Sequence, residues 1–169
     1  MKKLKNILDF HSWNERLKSD SDLSKPTIMI CGGTGCTALG SQEVYKSFEK
    51  EIVDMGLSSS VNLKKTGCHG FCEKGPVVLI LPERFFYPGV QPEDVKEILQ
   101  QTVVEGKVID RLLYVDPVSG QKITYEHDVP FYALQQRNVF RNNGKVDPVD
   151  IEDYILNDGY IAFVKVLKD

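Results

Sequence analysis

Four cysteines stand in two glycine-flanked segments, CGGTGCTALGS at 31–41 and GCHGFCEKGP at 67–76, and nowhere else among the 169 residues. The spacing is C-x4-C, then thirty-one residues, then C-x3-C. Thiols grouped this way can carry an iron–sulfur cluster, bind zinc, or cycle between dithiol and disulfide. A [2Fe–2S] centre takes four thiolates, and the oxidised complex carries a charge of about −2, growing by one on reduction. Such an anion asks for inward-pointing backbone N–H groups, and glycine lets the chain curl about sulfur without Cβ collisions. Gly32, Gly33, Gly35, Gly67, Gly70 and Gly75 are placed to meet that need. Zinc is also satisfied by four cysteines, usually in C-x2-4-C knuckles that staple a fold too small to hold itself. A redox dithiol would use C-x-x-C, which is absent. Cys31, Cys36, Cys68 and Cys72 are therefore the candidate ligands, with cluster, zinc and unligated thiols all open.

Other residues carry weaker chemistry. His69 lies between the third and fourth cysteines, but a Rieske-type centre needs two histidines in place of two cysteines. A loop position near the sulfurs is the expectation for it. CGGTGC lacks the Lys-Ser/Thr of a phosphate-binding loop. Lys64, Lys65 and Lys74 could screen a cluster, although a solvated surface explains them as well. Phe85, Phe86 and Tyr87 read as core. No Ser/His/Asp order or paired-carboxylate motif stands out.

The elements that must position the cysteines are legible from periodicity. Leu4, Ile7, Leu8, Phe10 and Leu17 predict an amphipathic lead-in helix over 4–17, ended by SDSDLSKP. Thr27–Cys31 reads as a short buried strand that delivers Cys31 at its end. From Ser41, taken as a cap, Val44, Phe48 and Ile52 make one helical stripe that stops at Gly56. VNLKKT at 61–66 and VVLIL at 77–81 are strands, and PER turns the latter into FFY at 85–87. Pro92 opens a last helix whose stripe is Val95, Ile98, Leu99 and Thr102, ended by Gly106. The order β-α-β-β-β-α, with a crossover helix joining the first two strands, is an α/β, thioredoxin-like plan.

Residues 107–169 read as an extended connector with two short helices, one over 146–156 with Asp147 as cap and one over 160–167. So thin a stretch is not expected to bury a core of its own. The expected organisation is thus a lead-in helix (1–25), a cluster domain (26–106) and a docking connector (107–169). A net charge of −3 and the lack of a basic, aromatic-laced face argue against nucleic acid. No apolar run reaches signal-peptide or membrane-spanning form, so the expectation is a cytoplasmic protein without membrane insertion.

The two cysteine segments, with TGCHGFCEKGPVVLILPERFFY, closely resemble the thioredoxin-like [2Fe–2S] ferredoxin family. In that family the domain serves as a small subunit of complex I-type NADH dehydrogenases. It is also fused to flavoprotein (beta) subunits of electron-bifurcating, NAD(P)-linked hydrogenases. The stretch DVPFYALQQRNVFRNNGKVDPVDIEDYILNDGYIAFVKVL is similar to the lead into such a flavoprotein subunit, with Asn143 where many relatives have cysteine. The resemblance implies a [2Fe–2S] cluster on Cys31, Cys36, Cys68 and Cys72 and one-electron transfer. It places FMN and NAD(P) only in a downstream region or partner, since the chain ends at Asp169 before the expected flavin loop. No catalytic residue is implied in this chain. The implied partners are other subunits of a hydrogenase or dehydrogenase complex, with room for a homodimer. The rival reading is a zinc-stapled or cluster-free adaptor that docks subunits.

Overall fold

The computed structural model describes residues 4–21 and 25–168. Helix α1 (Ile7–Asp20) is capped by the Asn6 side chain, which accepts from the Asp9 N–H at 2.9 Å. It leads to β1 (Thr27–Cys31), the short helix α2 (Thr34–Ala38) and the crossover helix α3 (Ser41–Asp54). Strands β2 (Asn62–Thr66), β3 (Val78–Leu81) and β4 (Phe85–Tyr87) complete a sheet of order β2-β1-β3-β4. The β1–β2 pair is parallel; β1–β3 and β3–β4 are antiparallel. This is a mixed α/β, thioredoxin-like architecture, as the sequence predicts. The break expected after α1 falls partly on residues 22–24, outside the described residues.

Alternation along the strands divides the interior into two layers. Ile28, Ile30, Val78, Ile80, Phe85 and Tyr87 pack with Val44, Phe48 and Ile52 of α3 and with Val95, Ile98 and Leu99 beyond β4. Met29, Cys31, Leu79 and Phe86 face the other way, toward Phe71, Tyr114 and Val129. The predicted stripe after Pro92 is buried as expected, but its backbone is not uniform. A 3-10 turn (Pro92–Asp94) enters α4 (Val95–Glu97), which widens to a π-helix over Ile98–Val104.

Two predicted caps are corrected. Gly40, at φ +93°, is the cap of α3, and Ser41 is its first helical residue and is buried. The sharp turn out of α2 needs the left-handed conformation that glycine adopts without strain. The helix expected from Pro148 begins instead at Ile151, as α6 (Ile151–Leu156), with Asp150 accepting from the Glu152 N–H at 2.9 Å. Asp147 is engaged otherwise: its carboxylate accepts from Val149 N–H at 3.0 Å, holding a turn.

The rest of 107–169 lies across the sheet. Strands β5 (Tyr114–Val115) and β6 (Lys122–Ile123) form a hairpin, followed by α5 (Pro130–Ala133), α6 and α7 (Ile161–Val166). Phe86 donates its N–H to Thr124 O at 2.9 Å, and Glu126 to Arg84 O at 3.1 Å, so this segment runs along the free edge of β4. Phe10 and Leu17 of α1 pack with Ile155 and Val164 in a separate small cluster, while Leu8 faces out. No described helix is long and apolar enough to cross a membrane.

Candidate metal centre

The four cysteines reach one end of the sheet by different routes. Cys31 ends β1, its N–H bonded to Val77 O at 3.1 Å, and parity turns its side chain away from α3. Cys36 lies in α2, and both of these thiols are buried. Cys68 follows β2, and Cys72 starts a 3-10 turn (Cys72–Lys74); both are half-buried. The thiols form two pairs. Cys31 and Cys36 share one buried layer, and the Cys68 and Cys72 sulfurs lie 3.6 Å apart. Two thiolates at ~2.3 Å on one tetrahedral metal would be about 3.8 Å apart, so the second pair is already near a shared-ligand separation. Among the described residues, no three cysteine, histidine or carboxylate side chains converge on a single-ion position.

The glycines interlock the two segments. A Cβ on Gly33 would meet Cys68 Cβ at 2.9 Å, and one on Gly35 would meet Cys72 Cβ at 2.9 Å and its sulfur at 3.0 Å. A Cβ on Gly75 would stand 2.8 Å from the Cys36 sulfur. Three of the six glycines thus let each cysteine loop rest against the other's thiols. Gly70, at φ +88°, donates its N–H to the Cys68 sulfur at 3.3 Å. That is the kind of donor an anionic sulfur site requires.

Electrostatics differ between the pairs. The neighbouring Cys36 thiol lowers the Cys31 thiol to about 5 against the opposing effect of burial. Cys31, together with burial, pushes Cys36 upward in turn. A metal centre would take these side chains as thiolates, so its binding would release thiol protons. Burial raises Cys68, with the Gly70 N–H partly countering it.

Sequence reasoning placed His69 near the sulfurs and missed what holds it. Its ring is 2 % exposed, with Nε2 3.0 Å from Thr66 Oγ1 and Nδ1 3.5 Å from Glu126 Oε1. Arg84 pairs with the other Glu126 oxygen. Burial would raise the Glu126 carboxyl, but the adjacent His69 ring and the Arg84 charge hold it below the usual range. Arg137 Nη2 donates to His69 O at 2.6 Å, and Val146 O accepts from Gly67 N–H at 3.3 Å. Phe71 stacks on Phe131, centroids 4.5 Å apart. The second cysteine loop is therefore gripped by residues 126–146. The lysines proposed as screens are otherwise engaged: Lys64 pairs with Asp153 at 2.5 Å, Lys65 lies over the Tyr45 ring, and Lys74 meets Glu73.

Residues 15–103 match the family model for the thioredoxin-like [2Fe-2S] ferredoxin. The chain belongs to this family. A 2Fe-2S ferredoxin of Clostridium pasteurianum is 38 % identical over 77 residues, 46 % of this chain and 76 % of that protein. One of Aquifex aeolicus (strain VF5) is 37 % identical over 79 residues, 46 % of this chain and 71 % of that protein. The crystal structure of the wild-type thioredoxin-like [2Fe-2S] ferredoxin from Aquifex aeolicus aligns with a TM-score of 0.48 and 32 % identity, covering 52 % of this chain and 94 % of that one. Membership in this ferredoxin family implies electron transfer through a [2Fe–2S] cluster. The grip of residues 126–146 on the second cysteine loop lies outside the matched span.

Proposed function

We propose that Cys31, Cys36, Cys68 and Cys72 hold a [2Fe–2S] cluster and that the chain is a one-electron carrier within a cytoplasmic, NAD(P)H-linked hydrogenase or NADH dehydrogenase complex. The observation that carries the ligand assignment is the interlock. Each cysteine loop approaches the other's thiols so closely that only glycine fits at Gly33, Gly35 and Gly75. The donor set also fits: four thiols at one end of the sheet, two of them 3.6 Å apart, with a backbone N–H directed at sulfur. When bound, the cluster supplies reversible storage of one electron. The chain's residues do the rest. Phe71, Phe86 and Val77 keep water from the buried Cys31 and Cys36 side. Cys68 and Cys72 bring the other side toward the surface, which makes it the side for electron exchange. Placement in the NAD(P)H-linked complex is supported by the resemblance of residues 107–169 to the lead into a flavoprotein subunit. FMN and NAD(P) chemistry is accordingly assigned to a downstream region or partner.

Anaerobically purified protein should contain two irons and two acid-labile sulfides and show a one-electron, spin-half signal after dithionite. Replacing any of the four cysteines with serine should weaken or alter that signal, since alkoxide is a harder ligand than thiolate. NADH alone should leave the visible spectrum unchanged. One zinc per chain with no labile sulfide would sink the assignment in favour of the stapled adaptor.

A further inference from the structure

The second cysteine loop borders a cleft that the cluster assignment does not use. Its volume is about 210 Å³, and its walls include Arg84, Arg137, Arg141 and Lys145, with Tyr132 and Glu126. Arg84 is neutralised by Glu126. Among the described residues Arg137 has no ion-pair partner; it donates to His69 O and to Gln135 Oε1 while lying over the Tyr132 ring. Arg141 and Lys145 have no ion-pair partner among the described residues and are exposed. The Tyr132 hydroxyl is buried and has no hydrogen-bond partner among the described residues. Three uncompensated cations and an idle hydroxyl thus line one depression.

The sequence around it is charged in the same sense. Residues 129–146 carry Arg137, Arg141 and Lys145 and no acidic residue, leaving eighteen cations against twenty-four acidic residues elsewhere. A basic face on an otherwise acidic molecule is a local field that selects and steers partners. Apolar side chains flank it: Leu134 is 88 % exposed, Val139 87 % and Phe140 63 %. Arginine beside exposed aliphatic and aromatic groups is the composition of a protein contact. The cleft is smaller than the ~300 Å³ at which small-molecule sites usually begin. It offers space for side-chain carboxylates. Through Arg137 and His69 O it also abuts the backbone between Cys68 and Gly70.

We propose that this cleft is the docking site for an electron-transfer protein presenting carboxylate side chains, a proposal that rests on Cys68 and Cys72 being cluster ligands. Docking there sets the partner against the half-buried pair, and one electron passes from the reduced centre to the partner's oxidised one. The test uses two acceptors of equal size and opposite charge, cytochrome c (basic) and its succinylated (acidic) form. Each ferric haem takes one electron and becomes ferrous. At low ionic strength, dithionite-reduced full-length chain should be oxidised several-fold faster by the acidic form, an advantage that added salt removes. The double variant Arg141→Glu/Lys145→Glu, at two exposed positions, should lose roughly tenfold in that rate and gain with the basic form. No preference for the acidic acceptor, or an unchanged rate in the variant, would overturn the proposal. Suppression of the preference by inorganic phosphate well beyond chloride of equal ionic strength would also overturn it, as the mark of a small-anion pocket. Calorimetric binding of succinylated cytochrome c to the as-purified chain reads the docking without needing a cluster. Binding lost in the double variant supports docking at this cleft separately from the cluster assignment, and absent binding overturns the proposal even where the cluster is present.

Discussion

Gly33→Ala isolates what the interlock contributes. The backbone there, φ −63° and ψ 152°, suits any residue, so an alanine meets no conformational penalty. Its Cβ, however, would lie 2.9 Å from Cys68 Cβ and 3.2 Å from both Cys68 Cα and Sγ. Two carbons rest at about 3.5 Å or more, so the loops must separate by roughly 0.6 Å. Metal–ligand distances tolerate about 0.2 Å, and overpacking of this kind costs about 1–3 kcal/mol. If that strain is released when the centre is lost, the cluster should be held between about fivefold and about 150-fold less firmly. The assay is anaerobic transfer of iron to a ferrous chelator, followed at the cluster's visible band, with far-UV circular dichroism confirming the fold. Gly67→Ala is the matched control. It adjoins Cys68 in the same loop, yet its added Cβ would meet nothing nearer than Asn143 at 3.8 Å. Equal cluster loss in the two variants, or none in Gly33→Ala, would refute the steric account of the glycines.

Three further outcomes follow from the packing. Tyr87→Phe should cost about 1–3 kcal/mol in urea unfolding, because the buried Tyr87 hydroxyl accepts the Ile109 N–H at 3.1 Å and bonds Thr102 Oγ1 at 2.8 Å. Glu126→Gln should flatten the acid limb of the stability profile. The depressed folded-state carboxyl contributes stability above the ordinary pKa of ~4.3 that is lost as pH falls through the lower folded value, and glutamine has nothing to lose there. Phe71→Ala should lower stability by about 3–5 kcal/mol and speed iron release, since Phe71 is the ring by which Phe86, Tyr114, Phe131 and Tyr132 hold the second cysteine loop. Unchanged iron release in a destabilised Phe71→Ala would show that the aromatic grip does not reach the cysteines.

What could be read from the sequence was local. The short buried strand at Thr27–Cys31, the stripe Val44-Phe48-Ile52 and the hairpin ending in Phe85–Tyr87 depend on neighbours a few positions away, and the structure places them as expected. That the two cysteine segments lie together was equally legible, because spacing and residue type carry that signal. The grip on the second loop was not. Arg137 reaches His69 across 68 positions, and no periodicity records such a contact. One cue was available in the absence of any acidic residue from Val129 to Val146. The caps failed for a related reason: Ser41 and Asp147 are good capping residues by type, but the turns around them awarded the role to Gly40 and Asp150.

The alternation in β1 has a consequence for how this sequence can change by insertion and deletion. β1 is paired on both sides, to β2 and β3, so its register cannot slide without disturbing two ladders. Losing one residue between Pro26 and Cys31 while the strand keeps its anchor would transpose the faces. The Cys31 thiol would then point into the layer held by Phe48 and Leu99, and Gly32 would stand where Cys31 faces the other thiols. Substitutions that keep the count can be absorbed singly, whereas a change of odd length turns the Cys31 thiol away from the other three without touching a cysteine codon. In aligning or grafting this domain, an odd gap in β1 reverses its faces and an even one carries Cys31 roughly 7 Å along the sheet, so the number of residues before Cys31 is as constrained as Cys31 itself.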